Sequence, residues 1–354
     1  MDRIAVGVLG ATGAAGSRLV ALLTGHPWFE ITALGGSERT AGRRYGDHVR
    51  SGGLGDGAGL SLAATIADQV LRPAQPDAFC DCRLIFSALP ADAARTVEPA
   101  FAAAGYGVVS NASTFRMAPD VPLIVPEINA DHLRLLDHQR RARGWKGFLV
   151  TNPNCSTIHL ALALAPLHRA FGLASVQVTT LQALSGAGLH GVAGLDILDN
   201  VVPYIGGEEE KMEQEPQKLL GSLTSAAIIP ARFPVSAQCT RVATTHGHLE
   251  TVTVKLQRPA TDSEVRAAWS EWQPLAGRGL PSAPAHPVVV RDEPDRPQPR
   301  LDRDSDGGMV SVVGRLRPCP VADWKFVVLG HNLVRGAAGG VLLIAELLHA
   351  EGRI

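Results

Sequence analysis

Short, nearly uninterrupted apolar runs recur through the first 150 residues of this 354-residue chain. The first run, Ile4–Leu9, is typical of a parallel strand that is buried on both faces. Apolar residues at positions 19, 20, 22 and 23 follow it with the spacing of a helix. Further buried strands are predicted at Phe29–Leu34, Leu84–Pro90 and from Val108 into a polar turn that ends at Arg116.

The second half of the chain has a different pattern. Pro153 and Asn154 interrupt an apolar run, and apolar residues at positions 160, 164, 167 and 171 then predict a helix. Strands are predicted at residues 175–183, 249–256, 309–316 and 324–329. The segment Pro281–Gly308 is rich in Pro, Asp and Arg, which predicts a long surface or subunit-contact loop. An apolar helix is predicted near the C-terminus, up to Leu348.

The first strand leads directly into three evenly spaced glycines. A strand, a glycine turn and a helix form the context that a dinucleotide-binding fingerprint requires. The glycines allow the backbone to approach a pyrophosphate at the helix N-terminus. A plain strand-to-helix turn is the alternative interpretation. The predicted cofactor contacts in this turn are Gly10, Thr12, Gly13, Ala14, Ala15 and Gly16.

The end of the second strand bears on which dinucleotide binds. Folds of this kind often carry a carboxylate there for NAD and an arginine for NADP. Ser37, Arg39 and Thr40 suit the 2′-phosphate of NADP, whereas Glu38 suits a free ribose hydroxyl. We favour NADP(H) as the cofactor, and a solvated loop is the alternative for these residues.

Two later strands also end in polar residues. Open parallel sheets bind ligands at the carboxyl ends of their strands, so Asn111 and Arg116 are expected to meet an anionic substrate. The planar guanidinium of an arginine is a good phosphate ligand, although a surface salt bridge is the alternative for Arg116. The remaining predicted cofactor contacts are Ser87, Ser185, Gly186, Gly188 and Asn332.

Cys155 is the candidate nucleophile. Asn154 is a good N-cap residue and places Cys155 in the first turn of the predicted helix. Free N–H groups and the helix dipole there favour a thiolate, which lowers the cysteine pKa, and they can hold an oxyanion. A buried structural cysteine is the alternative.

Two further segments carry candidate chemistry. His248 begins a predicted strand seven residues after Arg241, which makes a plausible pair of cation and acid/base group. A turn histidine without a role is the alternative. The charge run from Glu208 to Lys211, continued by Glu213 and Glu215, is typical of the solvated start of a helix.

Composition limits the classes of function. The formal net charge of -1 gives no electrostatic reason to expect nucleic acid or a membrane surface as a partner. The five cysteines are not arranged in a C-x-x-C pattern, which argues against a zinc site or a disulfide framework. No apolar run is long enough to cross a membrane, and the N-terminus has no signal-peptide pattern. We expect a cytoplasmic protein without a metal.

Taken in order, several motifs resemble those of aspartate-semialdehyde dehydrogenase, in particular its archaeal and fungal branch. The motifs are GATGAAG, SNASTFRM, NPNCSTI, SGAG, DILDNVVPYIGGEEEK and HNLVRGAAGG, together with the segment from Arg241 to His248. The resemblance spans almost the whole chain and implies an α/β fold. It implies a Rossmann domain at residues 1–154, completed by a C-terminal helix at 331–354, and a catalytic and dimerisation domain at 155–330. It also implies NADPH and a homodimer or homotetramer.

The resemblance also implies a role for individual residues. Cys155 matches the family nucleophile, Gln182 the glutamine that orients the acyl intermediate, and His248 the acid/base histidine. Arg241 matches the arginine that binds the substrate α-carboxylate, and Glu208 the carboxylate that meets its ammonium group. Three residues match the phosphate site: Lys211, Arg116 and Asn111.

The implied reaction is covalent catalysis on an aspartyl acyl phosphate. Cys155 attacks the acyl carbon, phosphate leaves, hydride from NADPH reduces the thioester, and His248 protonates the hemithioacetal oxygen. In reverse, phosphate captures the thioester.

The chain departs from the family pattern at a few positions and leaves other functions open. It has His246 where an acidic residue is expected, Leu189-His190 after SGAG, and Gly330 and Leu333 near its end. Reduction of another acyl phosphate, or of an acyl-CoA such as malonyl-CoA, fits the same nucleophile. The remaining alternatives are a non-catalytic NADP-binding protein and a Cys-Gln-His hydrolase.

Overall fold

Two six-stranded sheets organise the structure, a computed structural model that describes residues 3–51 and 64–354. All strands of the first sheet are parallel, in the order β3-β2-β1-β4-β5-β6. This order is that of the dinucleotide-binding folds, so the predicted Rossmann-type sheet is confirmed. Its strands are β1 (Ile4–Leu9), β2 (Phe29–Gly36), β3 (Arg72–Pro73), β4 (Leu84–Ser87), β5 (Gly107–Ser110) and β6 (Phe148–Thr151). Its helices are α1 (Ala14–Leu23), α2 (Tyr45–Ser51), α3 (Ala64–Ala67), α4 (Ala91–Ala104), α5 (Pro126–Asn129) and α6 (Leu135–Arg143).

The carboxyl ends of four parallel strands meet along one edge of this sheet. Leu9 pairs with Ser87, Ser87 with Ser110, and Ser110 with Thr151. The loops that leave these strands therefore start side by side, which is where open parallel sheets bind ligands.

The second sheet is mixed and has the order β10-β7-β11-β14-β13-β12. Its strands are β7 (Leu173–Gln182), β10 (Val235–Arg241), β11 (His248–Leu256), β12 (Val288–Arg291), β13 (Ser311–Pro318) and β14 (Trp324–Gly330). Its helices are α7 (Cys155–Phe171), α8 (Gly194–Ile197), α9 (Glu208–Leu219), α10 (Asp262–Ser270) and α11 (Pro299–Asp302), and β8 (Ser222–Leu223) pairs with β9 (Ile228–Ile229) beside it. Helix α7, which the sequence predicts correctly, is almost wholly buried and shares one hydrophobic core with this sheet.

The predicted long loop at Pro281–Gly308 is wrong in part. It contains β12, which pairs in parallel with β13, and the short helix α11. The strand consists of three valines and Arg291, and its β-branched residues suit a pleated, half-buried surface. The flanking Pro and Asp residues obscured this short run.

The chain ends in α12 (Gly339–Ala350), which follows a π-helical turn at Val334–Ala338. The apolar residues between positions 341 and 348 of α12 lie in the same core cluster as Ile4, Leu19 and Phe29 of the first domain. The last helix thus packs against the first domain. No helix in the described ranges is long and apolar enough to cross a bilayer.

Candidate active site

A cleft of about 390 Å³ opens at the carboxyl edge of the parallel sheet, where this edge faces the start of α7 and the mixed sheet. It brings together residues that are far apart in the sequence. The predicted site residues that line it are Ala14, Ala15, Asn111, Arg116, Cys155, Gln182, Ser185, Gly186, Gly188, Glu208, Lys211, Arg241 and Asn332.

The glycine turn forms one end of the cleft. Gly10 has a φ of +70°, and a Cβ atom there would lie 2.6 Å from the carbonyl oxygen of Ala88. A Cβ atom on Gly16 would lie 2.1 Å from the carbonyl oxygen of Gly10. Gly13 caps α1 without a side chain, so the first N–H groups of that helix are left for a ligand. With Thr12 half-buried in the turn, this tight backbone cradle fits a dinucleotide pyrophosphate.

The other predicted cofactor contacts lie along the same edge. Ser37 and Arg39 are exposed in the turn after β2, where the hydroxyl of Ser37 lies 3.2 Å from that of Thr40. This turn is not part of the 390 Å³ cleft. Ser87 is buried at the end of β4, and its carbonyl oxygen accepts the N–H of Asn111.

Asn154 caps α7, as predicted. Its Oδ1 atom accepts hydrogen bonds from the N–H groups of Ser156 at 2.9 Å and Thr157 at 3.2 Å. Cys155 is consequently the first residue of the helix. The π-helical turn lies directly against it, since a Cβ atom on Gly336 would be 2.8 Å from the Cβ atom of Cys155. Only glycine at position 336 leaves the room that this contact needs.

The predicted low pKa of Cys155 is wrong for this geometry. Burial and, second, the negative charge of Glu208 raise the pKa of the thiol to about 12. Arg116, the N–H of Ser156 and Arg241 act in the opposite direction. The helix N-terminus is present as expected, but desolvation of the thiolate outweighs it.

His248 lies behind Gly186 at the start of β11. Its Nδ1 atom accepts the N–H of Ala183 at 3.0 Å. Because a backbone amide can only donate, the neutral ring carries its hydrogen on Nε2. A Cβ atom on Gly186 would lie 3.1 Å from Nε2, which has no hydrogen-bond partner among the described residues. Burial, followed by the charge of Arg241, lowers the pKa of His248 to about 3, so the ring is neutral near pH 7.

Glu208 is the centre of a buried polar group. Its Oε2 atom accepts from the side chains of Asn154 at 2.8 Å and Gln182 at 3.3 Å, and its Oε1 atom pairs with Lys211 at 2.7 Å. Burial opposes its ionisation, but Lys211 and these donors hold the pKa of Glu208 below its ordinary value. Arg241 donates to the carbonyl oxygen of Ala183 at 2.7 Å. The expected solvated helix start is therefore wrong for Glu208.

Asn111 and Arg116 contact each other and line the same cleft as Cys155. Arg116 donates to the carbonyl oxygen of Asn111 at 2.6 Å, and Asn152 donates to its Oδ1 atom at 3.0 Å. Two donors, Asn111 Nδ2 and Arg116 Nε, have no acceptor within residues 3–51 and 64–354. Unsatisfied buried donors beside a cation are suited to an oxyanion.

Glu215 and Lys218 of α9 were missed as site residues. Glu215 is buried, not solvated, and bonds to both Arg116 and the backbone N–H of Asn154. Lys218 is buried as well and donates to three carbonyl oxygens. A signal was available, because positions 208, 211, 215 and 218 recur at helical spacing and so share one face of α9.

Comparisons with known proteins agree along the full length of the chain. Residues 5–136 match the family model described as semialdehyde dehydrogenase, NAD binding domain, and residues 164–335 match semialdehyde dehydrogenase, dimerisation domain. The aspartate-semialdehyde dehydrogenase of Archaeoglobus fulgidus is 49% identical over 349 residues, which cover 99% of each chain. That of Saccharomyces cerevisiae is 43% identical and covers 98% of each chain.

Comparisons with solved structures agree with the comparisons of sequence. Aspartate-semialdehyde dehydrogenase with NADP from Candida albicans is 42% identical, covers 100% of both chains and superimposes with a TM-score of 0.91. Aspartate-semialdehyde dehydrogenase II complexed with ASA from Vibrio cholerae has a TM-score of 0.76 at 24% identity over 99% of both chains, and it supports the fold alone.

Proposed function

This chain belongs to the aspartate-semialdehyde dehydrogenase family, and we propose that a Cys155 thioester carries its reaction. The reaction is the reversible, NADPH-dependent reductive dephosphorylation of L-aspartyl 4-phosphate to L-aspartate 4-semialdehyde. One observation supports the residue assignment most strongly. Cys155 lines the same cleft as Asn111 and Arg116, each of which has an unsatisfied donor, and the Nε2–H of His248 lies behind Gly186 of that cleft.

The residues at the sheet edge fit NADP(H). The closely packed Gly10 and Gly16 leave room for a pyrophosphate, and Ser37, Arg39 and Thr40 are available to the 2′-phosphate. The small residues Ser185, Gly186, Gly188 and Asn332 suit the nicotinamide end, since they line the cleft next to Cys155. When bound, NADPH supplies the hydride.

Acyl transfer begins at Cys155. The sulfur attacks the acyl carbon of the substrate, the bond to the phosphate oxygen breaks, the proton of the thiol leaves with the phosphate as hydrogen phosphate, and a thioester remains on the protein. Arg116, Asn111 and Lys211 stabilise the departing phosphate, because they line the same cleft as Cys155 and supply two cations and two unsatisfied donors. In the reverse direction the same donors hold the phosphate that captures the thioester.

His248 acts on the oxygen that gains charge when the thioester is reduced. We assign it the acid/base role, and its neutral ring presents Nε2–H as the donor to the hemithioacetal oxygen. Gln182, which bonds to Glu208 at 3.3 Å, orients the acyl group. Arg241 binds the α-carboxylate and Glu208 the ammonium group, so both ends of the amino acid are fixed.

The proposal also covers the domain division, the oligomeric state and the cellular compartment. We propose a domain division into residues 1–154 with 331–354, and 155–330, because most members of each of the two large core clusters fall on one side of it. The family is oligomeric through its second domain, and we propose a homodimer or a homotetramer of two such dimers. All five cysteines are in the described part of the chain and none forms a disulfide, which supports a reducing compartment such as the cytoplasm.

The test is an assay of NADP reduction with L-aspartate 4-semialdehyde, with and without phosphate. Turnover should require phosphate or arsenate, and Cys155→Ser should lower kcat by at least about 10³-fold. Cys80→Ser, at an exposed cysteine, is the control and should be unaffected. Phosphate-independent turnover, or activity on malonyl-CoA but not on the semialdehyde, would contradict the assignment.

A further inference from the structure

One face of α9 carries a row of charged residues that point into the protein. Glu208 and Lys211 occupy its first turn beside the cleft, and Glu215 and Lys218 continue the row to the end of the helix. Glu215 is 1% exposed and Lys218 is 4% exposed. Charged side chains are almost never buried to this extent unless they are paired, so the contacts of Glu215 and Lys218 need an explanation.

Glu215 contacts both Arg116 and the residue that precedes Cys155. Its Oε1 atom lies 3.0 Å from Nη1 of Arg116, and its Oε2 atom accepts the backbone N–H of Asn154 at 2.7 Å. Asn154 caps the helix that Cys155 begins. One carboxylate therefore contacts the arginine beside the leaving group and the residue directly before the nucleophile.

The segment that carries Arg116 is anchored from the same helix. Lys218 donates to the carbonyl oxygens of Arg116 at 2.6 Å, Ala118 at 2.8 Å and Val121 at 2.8 Å. Its ammonium group thus has three acceptors, which equals its number of donors. Both the backbone and the guanidinium of Arg116 are consequently held by α9.

We propose that Glu215 is a positioning residue that fixes Arg116 relative to Cys155 for binding and release of phosphate. The inference rests on the proposed function, because it concerns the phosphate that this reaction releases or consumes. Glu215 accepts one N–H of Nη1 of Arg116 and the carbonyl oxygen of Asn111 accepts one N–H of Nη2, whereas Nε has no acceptor among the described residues. The carboxylate does not touch the reacting atoms, and it acts through Arg116 and Asn154.

Glu215→Gln separates the two contacts of the carboxylate. A glutamine has one acceptor oxygen and one donor nitrogen. If its oxygen keeps the N–H of Asn154, its NH2 group faces the N–H groups of Arg116, and two donors repel each other. The nucleophile's turn should stay intact while the arginine loses its fixed orientation.

The experiment measures the KM for phosphate in the oxidative direction with the full-length protein. Glu215→Gln should raise the KM for phosphate at least about tenfold, while kcat and the KM for the semialdehyde stay within about threefold. Glu215→Ala removes both contacts and should lower kcat as well. In an Arg116→Ala background, Glu215→Gln should have no further effect on phosphate, because the two residues act as one unit.

The matched control is Glu213→Gln on the same helix. Glu213 also accepts a backbone N–H, that of Ala237 at 3.1 Å, but on another side of α9, and its substitution should leave the KM for phosphate unchanged. An unchanged KM in Glu215→Gln would overturn the proposal, and so would a lower one, which would make Glu215 a competitor of phosphate. A parallel rise of both KM values with a lower Tm would reveal a packing role only.

Failure of the proposed function is a separate outcome. It would show as wild-type protein without phosphate-dependent turnover. In that case the affinity for inorganic phosphate, measured by ³¹P NMR titration of the wild type and Glu215→Gln, decides the inference. Equal affinities reject it, and weaker binding by the variant supports it.

Discussion

The thiol of Cys155 is held between opposing charges. Glu208 raises its pKa, whereas Arg116 and Arg241 lower it, and burial adds the largest effect in the direction of the neutral thiol. In the proposed complex the substrate ammonium pairs with Glu208, which removes one of the two forces that oppose the thiolate. Recognition of the amino acid and activation of the nucleophile are thereby linked through one carboxylate.

This link predicts that Glu208→Gln makes the resting thiol more reactive. Loss of the negative charge lowers the pKa of Cys155, so the fraction of thiolate at any pH below that pKa increases. The rate of alkylation by iodoacetamide between pH 8 and 9 should rise several-fold, although semialdehyde turnover falls. Glu210→Gln, at an exposed position of the same helix, is the control. An unchanged or slower alkylation of Glu208→Gln would show that Glu208 does not govern the thiol.

The sequence identified side chains whose residue type and position along the chain indicate a role on their own. Asn154 was identified as a cap by its own type and position, and the structure confirms it. Glu215 was not found, because its partner Arg116 lies 99 residues away in the chain. The helical spacing shows that Glu215 shares a face of α9 with Glu208 and Lys211, but the sequence does not show that this face packs against Arg116 instead of water. The pKa of Cys155 was mistaken for a related reason, since burial depends on the whole fold.

Helices and strands with a regular pattern of apolar residues were predicted well. Those that depend on contacts with another segment of the chain were not. Helix α7 follows from its apolar spacing, and the glycine turn from its flanking strand and helix. Strand β12 pairs with β13, but its three valines lie between segments rich in Pro and Asp that are typical of a loop. The contact between α7 and the end of β14 was equally invisible in the sequence.

This contact is made by His159 of α7 over Gly330 of β14. A Cβ atom on Gly330 would lie 1.8 Å from the imidazole ring of His159. Gly330 pairs with His248 on one side and Ser311 on the other, and the Nδ1 atom of His159 is 2.8 Å from the hydroxyl of Ser311. The imidazole of α7 thus occupies the place of the missing side chain of β14.

A double-mutant cycle tests this pairing. Gly330→Ala should destabilise the wild type by about 1–3 kcal/mol, because the ring is forced out of a packed core. In a His159→Ala background the same change should be neutral or stabilising by up to about 1 kcal/mol, since alanine is better than glycine in a strand. The measurement is urea unfolding at a fixed protein concentration. Additive free energies of unfolding would contradict the pairing.

One face of the mixed sheet, called the open sheet face below, has a groove that the described part of the chain leaves accessible. Polar side chains of three neighbouring strands, β7, β10 and β11, line it. The side chains that line this face are Gln177, Thr179, Ser236, Gln238, Thr251 and Thr253. The segment 195–204, which follows β7 in the sequence, exposes four large apolar residues: Leu195, Leu198, Val201 and Tyr204. Exposed apolar residues grouped in this way often mark an interface between proteins.

We therefore predict that the open sheet face forms the contact between protomers. Thr251→Arg should place a long cation in the middle of that face and convert the oligomer to a monomer, measured by sedimentation equilibrium. Ser270→Arg, at an exposed position of α10, adds the same charge elsewhere and should leave the mass unchanged. An oligomer that survives Thr251→Arg would place the interface on another surface.

The position of α12 has a consequence for co-translational folding. Strands β1 to β6 leave the ribosome long before residues 341–348, yet the apolar residues among these fill the same hydrophobic core. Until α12 has been synthesised, the parallel sheet lacks the helix that packs on this part of its core. The nascent first domain should therefore depend on chaperones, and the cofactor cradle should become competent only when α12 emerges.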